Sequence, residues 1–403
     1  MKKVRDGYKI TELGEIPSDW NIMKLSEVAE IVMGQSPDSS SYNDTEDGVA
    51  FFQGKTEFGR INPVVKKWCN NPTKISKPLD ILISVRAPVG DVNINNIEAC
   101  IGRGLGAIRA TSSSNYKYLY YAIQKYNNQL KKASQGSTFE AINSNDLKGL
   151  KLPIPHIDEQ EKIALILSNV DEQIDNVDAL IEKNKELKKG LMQTLLTKGI
   201  GHTKFKKTEI GEIPEEWEVK QLGDIAQYIN GKAFKPSEWD TEGLPIVRIQ
   251  NLNGANEFNY YNGVIDDKFI INKGQLLFSW SGSKGTSFGP FIWNNGKAVL
   301  NQHIFKVELN GFVDSVYGYY ALKQVTQIIE ESAHGSAGLV HVTKGALEKF
   351  KIGIPKIQEQ RKLASILLEV DEKINVYENK KNKLEMIKKG LIQKLLTGKI
   401  RAI

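Results

Sequence analysis

Pro155-His156-Ile157-Asp158-Glu159-Gln160 and, 200 positions later, Pro355-Lys356-Ile357-Gln358-Glu359-Gln360 decide how this 403-residue chain is read. Behind the first lie Ile163, Leu167, Val170, Ile174, Val177, Ile181, Leu191 and Leu195, on alternating steps of four and three, with Asn184 and Lys188 interrupting. Behind the second lie Leu363, Leu367, Val370, Ile374, Tyr377, Leu384, Leu391 and Leu395, interrupted by Lys381 and Lys388. An apolar seam held that long between charged flanks predicts a coiled coil. Pro153, Pro155 and Pro355 stand before the helices, where a missing N–H costs little, and Gly199 and Gly398 stand at their far ends. Each rod of some forty residues would be roughly 60 Å long. The first carries net charge −3 and the second +5, which favours pairing with each other over packing each on its own domain. Lys198–Lys207, the connection out of the first rod, spans at most about 35 Å. The second rod is therefore expected to run back antiparallel to the first.

Outward from these rods the chain is written twice. Thr11-Glu12-Leu13-Gly14-Glu15-Ile16-Pro17 and Trp20 return as Thr208-Glu209-Ile210-Gly211-Glu212-Ile213-Pro214 and Trp217. Val170-Asp171-Glu172 returns as Val370-Asp371-Glu372, and Lys188-Lys189-Gly190-Leu191 as Lys388-Lys389-Gly390-Leu391. Two units of about 200 residues are too few and too long for a solenoid. The expected plan is a first domain over 1–156, a rod over 157–198, a second domain over 199–356 and a rod over 357–403. Between the matched ends the copies diverge, with faint echoes such as Ile81–Ser84 against Leu276–Ser279 and Gly136-Ser137 against Gly335-Ser336. Asp80–Arg86, Gln275–Trp280 and Ala298–Val307 read as strands, Gly282–Gly289 as loop, and Tyr116–Lys132 and Ser315–Ser332 as helices. The fold class is α+β: two similar domains joined by an antiparallel coiled coil, with pseudo-twofold symmetry.

Composition narrows the function. An apolar fraction of 40% and a charged fraction of 25% exclude disorder and a disulfide scaffold. Met1-Lys2-Lys3-Val4-Arg5-Asp6 leads into no apolar run, so no signal peptide is expected, and no stretch suits a membrane span. Cys69 and Cys100 fit a reduced interior, and the expected location is the cytoplasm. Net charge +6 is mild for a protein that binds a polyanion.

No catalytic constellation is found. Gly54-Lys55-Thr56 would end a phosphate-binding loop only with glycine at position 49, which is Val49. Gly102-Arg103-Gly104-Leu105-Gly106 lacks the dinucleotide spacing. The histidines at 156, 202, 303, 334 and 341 and the two cysteines have no zinc-ligand spacing, and His334 and His341 read as polar surface or hydrogen-bonded residues. Asn70-Asn71-Pro72-Thr73 falls short of an amino-methyltransferase motif, and Pro37-Asp38 has no nuclease partner residues nearby. Glu186-Leu187-Lys188 reads as a solvated helix flank. No catalytic residue and no metal ligand is assigned.

What remains is polar and basic residues set among glycines. The first copy offers Gln35, Lys55, Arg60, Arg86 and Arg103; the second offers Lys232, Arg248, Lys284, Gln302 and His303. Arginine and lysine suit guanine edges and phosphates, and glutamine suits adenine, so these ten are the candidate DNA contacts. Leu167, Val170 and Ile174 with Leu367, Val370 and Ile374 are the candidate spacer seam.

Taken together, Gly14-Glu15-Ile16-Pro17-x-x-Trp20 with its copy Gly211–Trp217, and Ile154-Pro155-x-Ile157-x-Glu159-Gln160 with its copy at 354–360, carry a resemblance. So do Ser84–Gly90 with Ile101–Gly104, and Phe278–Gly282 with Asn301–His303. Over nearly its whole length the chain resembles the specificity subunit of type I restriction–modification enzymes. The resemblance implies two target recognition domains, each reading half of a split, asymmetric site in double-stranded DNA, with the helices fixing the gap. It implies a non-catalytic chain that recruits two methylation subunits and the translocating restriction subunits. S-adenosylmethionine, ATP and magnesium would belong to those partners. A coiled-coil adaptor without DNA, or the recognition module of another methyltransferase–nuclease class, remains the alternative.

Overall fold

The structure, a computed structural model, describes residues 4–134, 140–332 and 338–403. The Gly136-Ser137 and Gly335-Ser336 echo, His334 and the first three residues lie outside them. The chain divides into two compact units, Met1–Asp178 with Asn379–Ile403, and Ala179–Glu378. Each unit thus holds one globular domain and about half of each long helix. In each unit the halves of the long helices pack into the domain core.

The first unit holds a four-stranded antiparallel sheet in the order Val92–Ile94, Ile81–Ser84, Leu105–Ala110, Ala29–Met33. The second repeats it as Gly289–Ile292, Leu276–Ser279, Ile304–Leu309, Ala226–Asn230. Beside each lies a mixed sheet built on a parallel pair, Val49–Phe52 with Ala99–Ile101 in a five-stranded sheet and Leu244–Val247 with Ala298–Leu300 in a four-stranded one. Ala298–Val307 is therefore two strands, broken at Asn301–His303 where the chain passes from one sheet to the other. Gly282–Gly289 is no simple loop, since Ser281–Ser283 pairs with Leu339–His341. The Tyr116–Lys132 segment forms two helices, Tyr116–Tyr126 and Asn128–Ser134, while Ser315–Ser332 is one.

The repeated motifs turn out to build the frame. In Thr11–Pro17 the Thr11 hydroxyl donates to the Gly14 carbonyl at 2.7 Å, closing a hairpin, and Thr208 does the same to Gly211. Gly14 and Gly211 sit at φ 107° and 102°, a left-handed conformation that a side chain would strain. Lys151 and Lys351 bind Glu12 and Glu209 across this hairpin. Trp20 and Trp217 are fully buried, each donating its indole N–H to the helix-opening glutamate, Glu159 at 3.0 Å and Glu359 at 3.1 Å. Gln160 accepts from Asn115 N and donates to the Pro155 carbonyl; Gln360 accepts from Asp314 N and donates to the Pro355 carbonyl. Each glutamine satisfies backbone groups at the starts of two helices, its own and the shorter one packed beside it, which explains its burial.

The long helices run Ile157–Lys198 and Ile357–Leu395. The second stops eight residues short of the expected end. Gly398, at φ 64°, turns the chain, and Arg401 then clamps Glu159 and Asp19. The corresponding glutamate of the second copy, Glu359, instead meets His202 at 2.8 Å. Leu167, Ile174, Leu367, Val370 and Ile374 are buried, and Val170 is half-buried. Ile163, Leu167, Leu395 and Leu396 enter the core of the first unit, and Leu195, Leu196, Leu363 and Leu367 that of the second. Seam residues thus serve the domain cores as well as the helix pair.

The lysines that interrupt the seam are its fasteners. In the first unit Asp171, almost fully buried, accepts from Lys388 Nζ at 2.7 Å, from the Tyr121 hydroxyl at 2.6 Å and from Arg60 at 3.1 Å. Lys381 reaches Asp178 at 2.7 Å. In the second unit Asp371 accepts from Lys188 and, at 2.6 Å, from the Tyr320 hydroxyl. Within the first unit, the pairing of 171 with 388 and of 178 with 381 runs antiparallel. Burial and the adjoining carboxylate push the phenols of Tyr121 and Tyr320 far up, so both stay protonated donors. Lys188 is accordingly no solvated flank.

Candidate DNA-reading site

The sheet registers align the two interiors where the sequence does not. Leu105 pairs with Ser84, and Ile304 with Ser279. Ile101 lies beside Phe52, and Leu300 beside Val247. Arg86 therefore corresponds to Ser281, Arg103 to Gln302, Gly104 to His303, Gln53 to Arg248, and Gln35 to Lys232. Arg86 bridges Ala141 as Ser281 pairs with His341.

In the first unit this register gathers Gln53, Lys55, Arg86 and Arg103 around one groove of about 520 Å³. Arg86 and Arg103 are exposed, and among the described residues neither guanidinium has a hydrogen-bonding partner. Ser36 steadies the Arg103 backbone, with its hydroxyl 3.3 Å from the N–H. Lys55 is half-exposed and pairs with Asp91. Gln35 is exposed beside Gly34, where a Cβ would stand 2.2 Å from the Gly102 carbonyl, so only glycine lets the chain pass under the reading loop. Gly231 faces Asn301 with the same 2.2 Å approach. Arg60 is not in this groove. It binds Asp171 and Asp175 on the long helix, so it holds the domain to the helix.

The second unit presents different chemistry at the same register. Trp280, half-buried, donates its indole N–H to the Gln302 carbonyl at 3.0 Å. His303 and His341 flank its ring at 5.2 and 5.0 Å. Gln302 Nε2 lies 3.1 Å from His303 Nε2. Lys232 is enclosed by Glu238 at 2.7 Å and by the rings of Phe234 and Tyr261. Arg248 stacks over Trp239 at 4.8 Å and binds Asn259. Lys284 donates to the Glu330 carbonyl at 2.8 Å. Gln302 and His303 therefore come together, while Lys232, Arg248 and Lys284 are each held by local partners.

Sequence reading missed His341 and the Asp171–Lys388 fastener. His341 reaches the site through a strand pairing some sixty residues away, which no local pattern encodes. The fastener did leave a signal: both Asp171 and Lys388 lie in segments that the two copies share. Among the described residues no cluster of His, Cys, Asp and Glu could hold a metal, and no helix is long and apolar enough to cross a membrane. Cys69 and Cys100 are buried free thiols.

The family model for the type I restriction modification DNA specificity domain matches residues 17–188 and again 214–386. A putative type I restriction enzyme specificity subunit of Methanocaldococcus jannaschii, MjaX, is 42% identical over 194 residues; that match covers 47% of this chain and 45% of the relative. The MjaVIII specificity subunit of the same organism is 25% identical, covering 96% of this chain and 94% of the other. The crystal structure of a type I restriction–modification S subunit from M. genitalium superposes with a TM-score of 0.62 at 19% identity, covering 98% of this chain and 97% of that one.

Proposed function

We propose a function from the premise that the chain belongs to the type I restriction modification DNA specificity family. It is the non-catalytic specificity subunit of such a system, its two interiors each reading one half of a bipartite, asymmetric DNA site. The observation that carries this reading is the register equivalence of the two sites. One scaffold presents Lys55, Arg86 and Arg103 in the first copy, and Trp280, Gln302, His303 and His341 in the second. Arginine suits bidentate contact with guanine, glutamine suits adenine, and an indole offers an apolar face. Unlike residues at like positions would read unlike half-sites.

The partners follow from the family: two methylation subunits that use S-adenosylmethionine to modify adenine, and restriction subunits that use ATP and magnesium. The chain would act inside the cytoplasm. The half-sites would lie about one turn of B-DNA apart, with the helices setting that gap. Four residues inserted near Lys183 would then lengthen the gap and leave both half-sites unchanged.

Co-expression with its methylation subunit, followed by mapping of modified adenines on a random-sequence library, tests the assignment. Arg103→Ala should relax the first half-site alone, and Gln302→Ala the second alone, each by roughly 10- to 100-fold in discrimination. Loss of preference in both halves from either change would refute separate reading.

A further inference from the structure

The reading groove of the first unit does not end at the recognition loops. Through Lys55 it joins a second cleft lined by Asp91, Tyr120, Gln124 and Asn127. Through Arg60, Gln124 and Asn127 that cleft joins a third, of about 520 Å³, whose walls are the Tyr116–Tyr126 helix and the C-terminal half of the second long helix. Most cations there are already neutralised: Arg60 by Asp171 and Asp175, Lys381 by Asp178, Lys388 by Asp171. Lys125 and Lys389 are the exceptions, lining the cleft with no hydrogen bond or ion pair among the described residues. Glu385 stands on the same wall.

The second unit repeats the arrangement independently. A groove of about 650 Å³ lies between the Ser315–Ser332 helix and the first long helix, lined by Lys188, Lys189 and Lys323. Lys188 is bound to Asp371, and Lys323 lies on the Tyr319 hydroxyl at 3.1 Å. Lys189, the counterpart of Lys389, is exposed and has no partner among the described residues. In both copies, therefore, the lysine beside the fastener is left over, facing a groove. Folding alone would not require that, since an unpaired exposed lysine contributes little to stability.

We propose that Lys125, Lys189 and Lys389 grip phosphodiesters of the DNA between the two half-sites, so that the spacer helices hold the DNA gap directly. The inference rests on the DNA-reading function proposed above. A phosphate contact of this kind fixes position and is blind to sequence.

The test uses the complex with methylation subunits on its own mapped site. Affinity is measured across a salt series, and phosphate-ethylation interference reports which phosphates matter. For Lys125→Gln/Lys189→Gln/Lys389→Gln, affinity should fall several-fold on cognate and non-cognate DNA alike. The salt slope should flatten by about 0.9 per lysine removed, because each releases fewer counterions. Interference within the gap should vanish while the methylated sequence stays the same. Lys189→Arg/Lys389→Arg should keep the parental slope. An unchanged slope with gap phosphates still interfering would overturn the inference. So would an unchanged slope with loss of the methylation subunits, which would make the grooves a protein-docking face. If the parent complex shows no sequence preference at all, it is the DNA-reading function that fails.

Discussion

The two copies agree where side chains brace the backbone and differ where side chains are left free. Trp20–Glu159, Gln160–Pro155, the Tyr118 hydroxyl on the Pro153 carbonyl and Tyr121–Asp171 have counterparts in Trp217–Glu359, Gln360–Pro355, the Tyr317 hydroxyl on the Gly353 carbonyl and Tyr320–Asp371, with lengths equal to within about 0.1 Å. At the reading register, by contrast, Arg103 faces outward in one copy and Gln302 lies against a Trp–His–His cluster in the other. A frame satisfied by buried hydrogen bonds tolerates little change, because each lost partner leaves a costly polar group behind. Exposed groove residues carry no such penalty. Recognition can therefore diverge on this scaffold without disturbing the fold or the helix pairing.

The largest test of that comparison lies at the fasteners. Asp171→Ala strands the Lys388 ammonium, part of the Arg60 guanidinium and a buried phenol, and should cost about 3–5 kcal/mol. Asp371→Ala, at a more open site without an arginine, should cost about 2 kcal/mol. Denaturant unfolding of both variants checks the order, and equal losses would mean that the Arg60 contact adds nothing to the first fastener.

The clamp on the helix-opening glutamate comes next. Burial pushes Glu159 up, but Arg401, the Trp20 indole and the Ala402 N–H outweigh it and hold the carboxyl below its usual range. The Arg401 guanidinium likewise lowers Asp19. Arg401→Gln should therefore cost about 1.5 kcal/mol at neutral pH. A depressed carboxylate pKa stabilises fully above the unfolded value, near 4.3, and less as pH falls through the folded one. The gap between parent and variant should close from about pH 5 towards pH 3. A gap that widened in acid would contradict this assignment.

The smallest effect sharpens the equivalence. Gly14→Ala and Gly211→Ala should each cost about 1 kcal/mol, since both force a side chain into the left-handed region with open space around it. Thermal unfolding should show matching shifts.

Much of this architecture was legible in the sequence because it was written twice. The heptad seam, the helix starts at Ile157 and Ile357 and the stops near Gly199 and Gly398 all follow from local pattern. The frame motifs were visible as repeats, though not as the Trp–Glu and Gln–backbone bonds they make. Lys188 and Lys388 read as flaws in the seam, because a lone sequence does not show the aspartate opposite. Arg60 read as a DNA contact for the same reason: its partners lie more than a hundred residues away, on the helix. The break at Asn301–His303 interrupts what reads as one strand, and only the passage between two sheets explains it. His341 joined the second site through long-range pairing alone.

The proposed function has each copy read its own half of the DNA site on a shared frame. It is tested most directly by replacing residues 205–354 with residues 8–154, so that the first interior is present twice, and mapping the adenines methylated by the reconstituted complex. The expected target is symmetric: the first half-site followed by its inverted repeat, at the parental gap. Methylation still confined to the parental asymmetric sequence would contradict it.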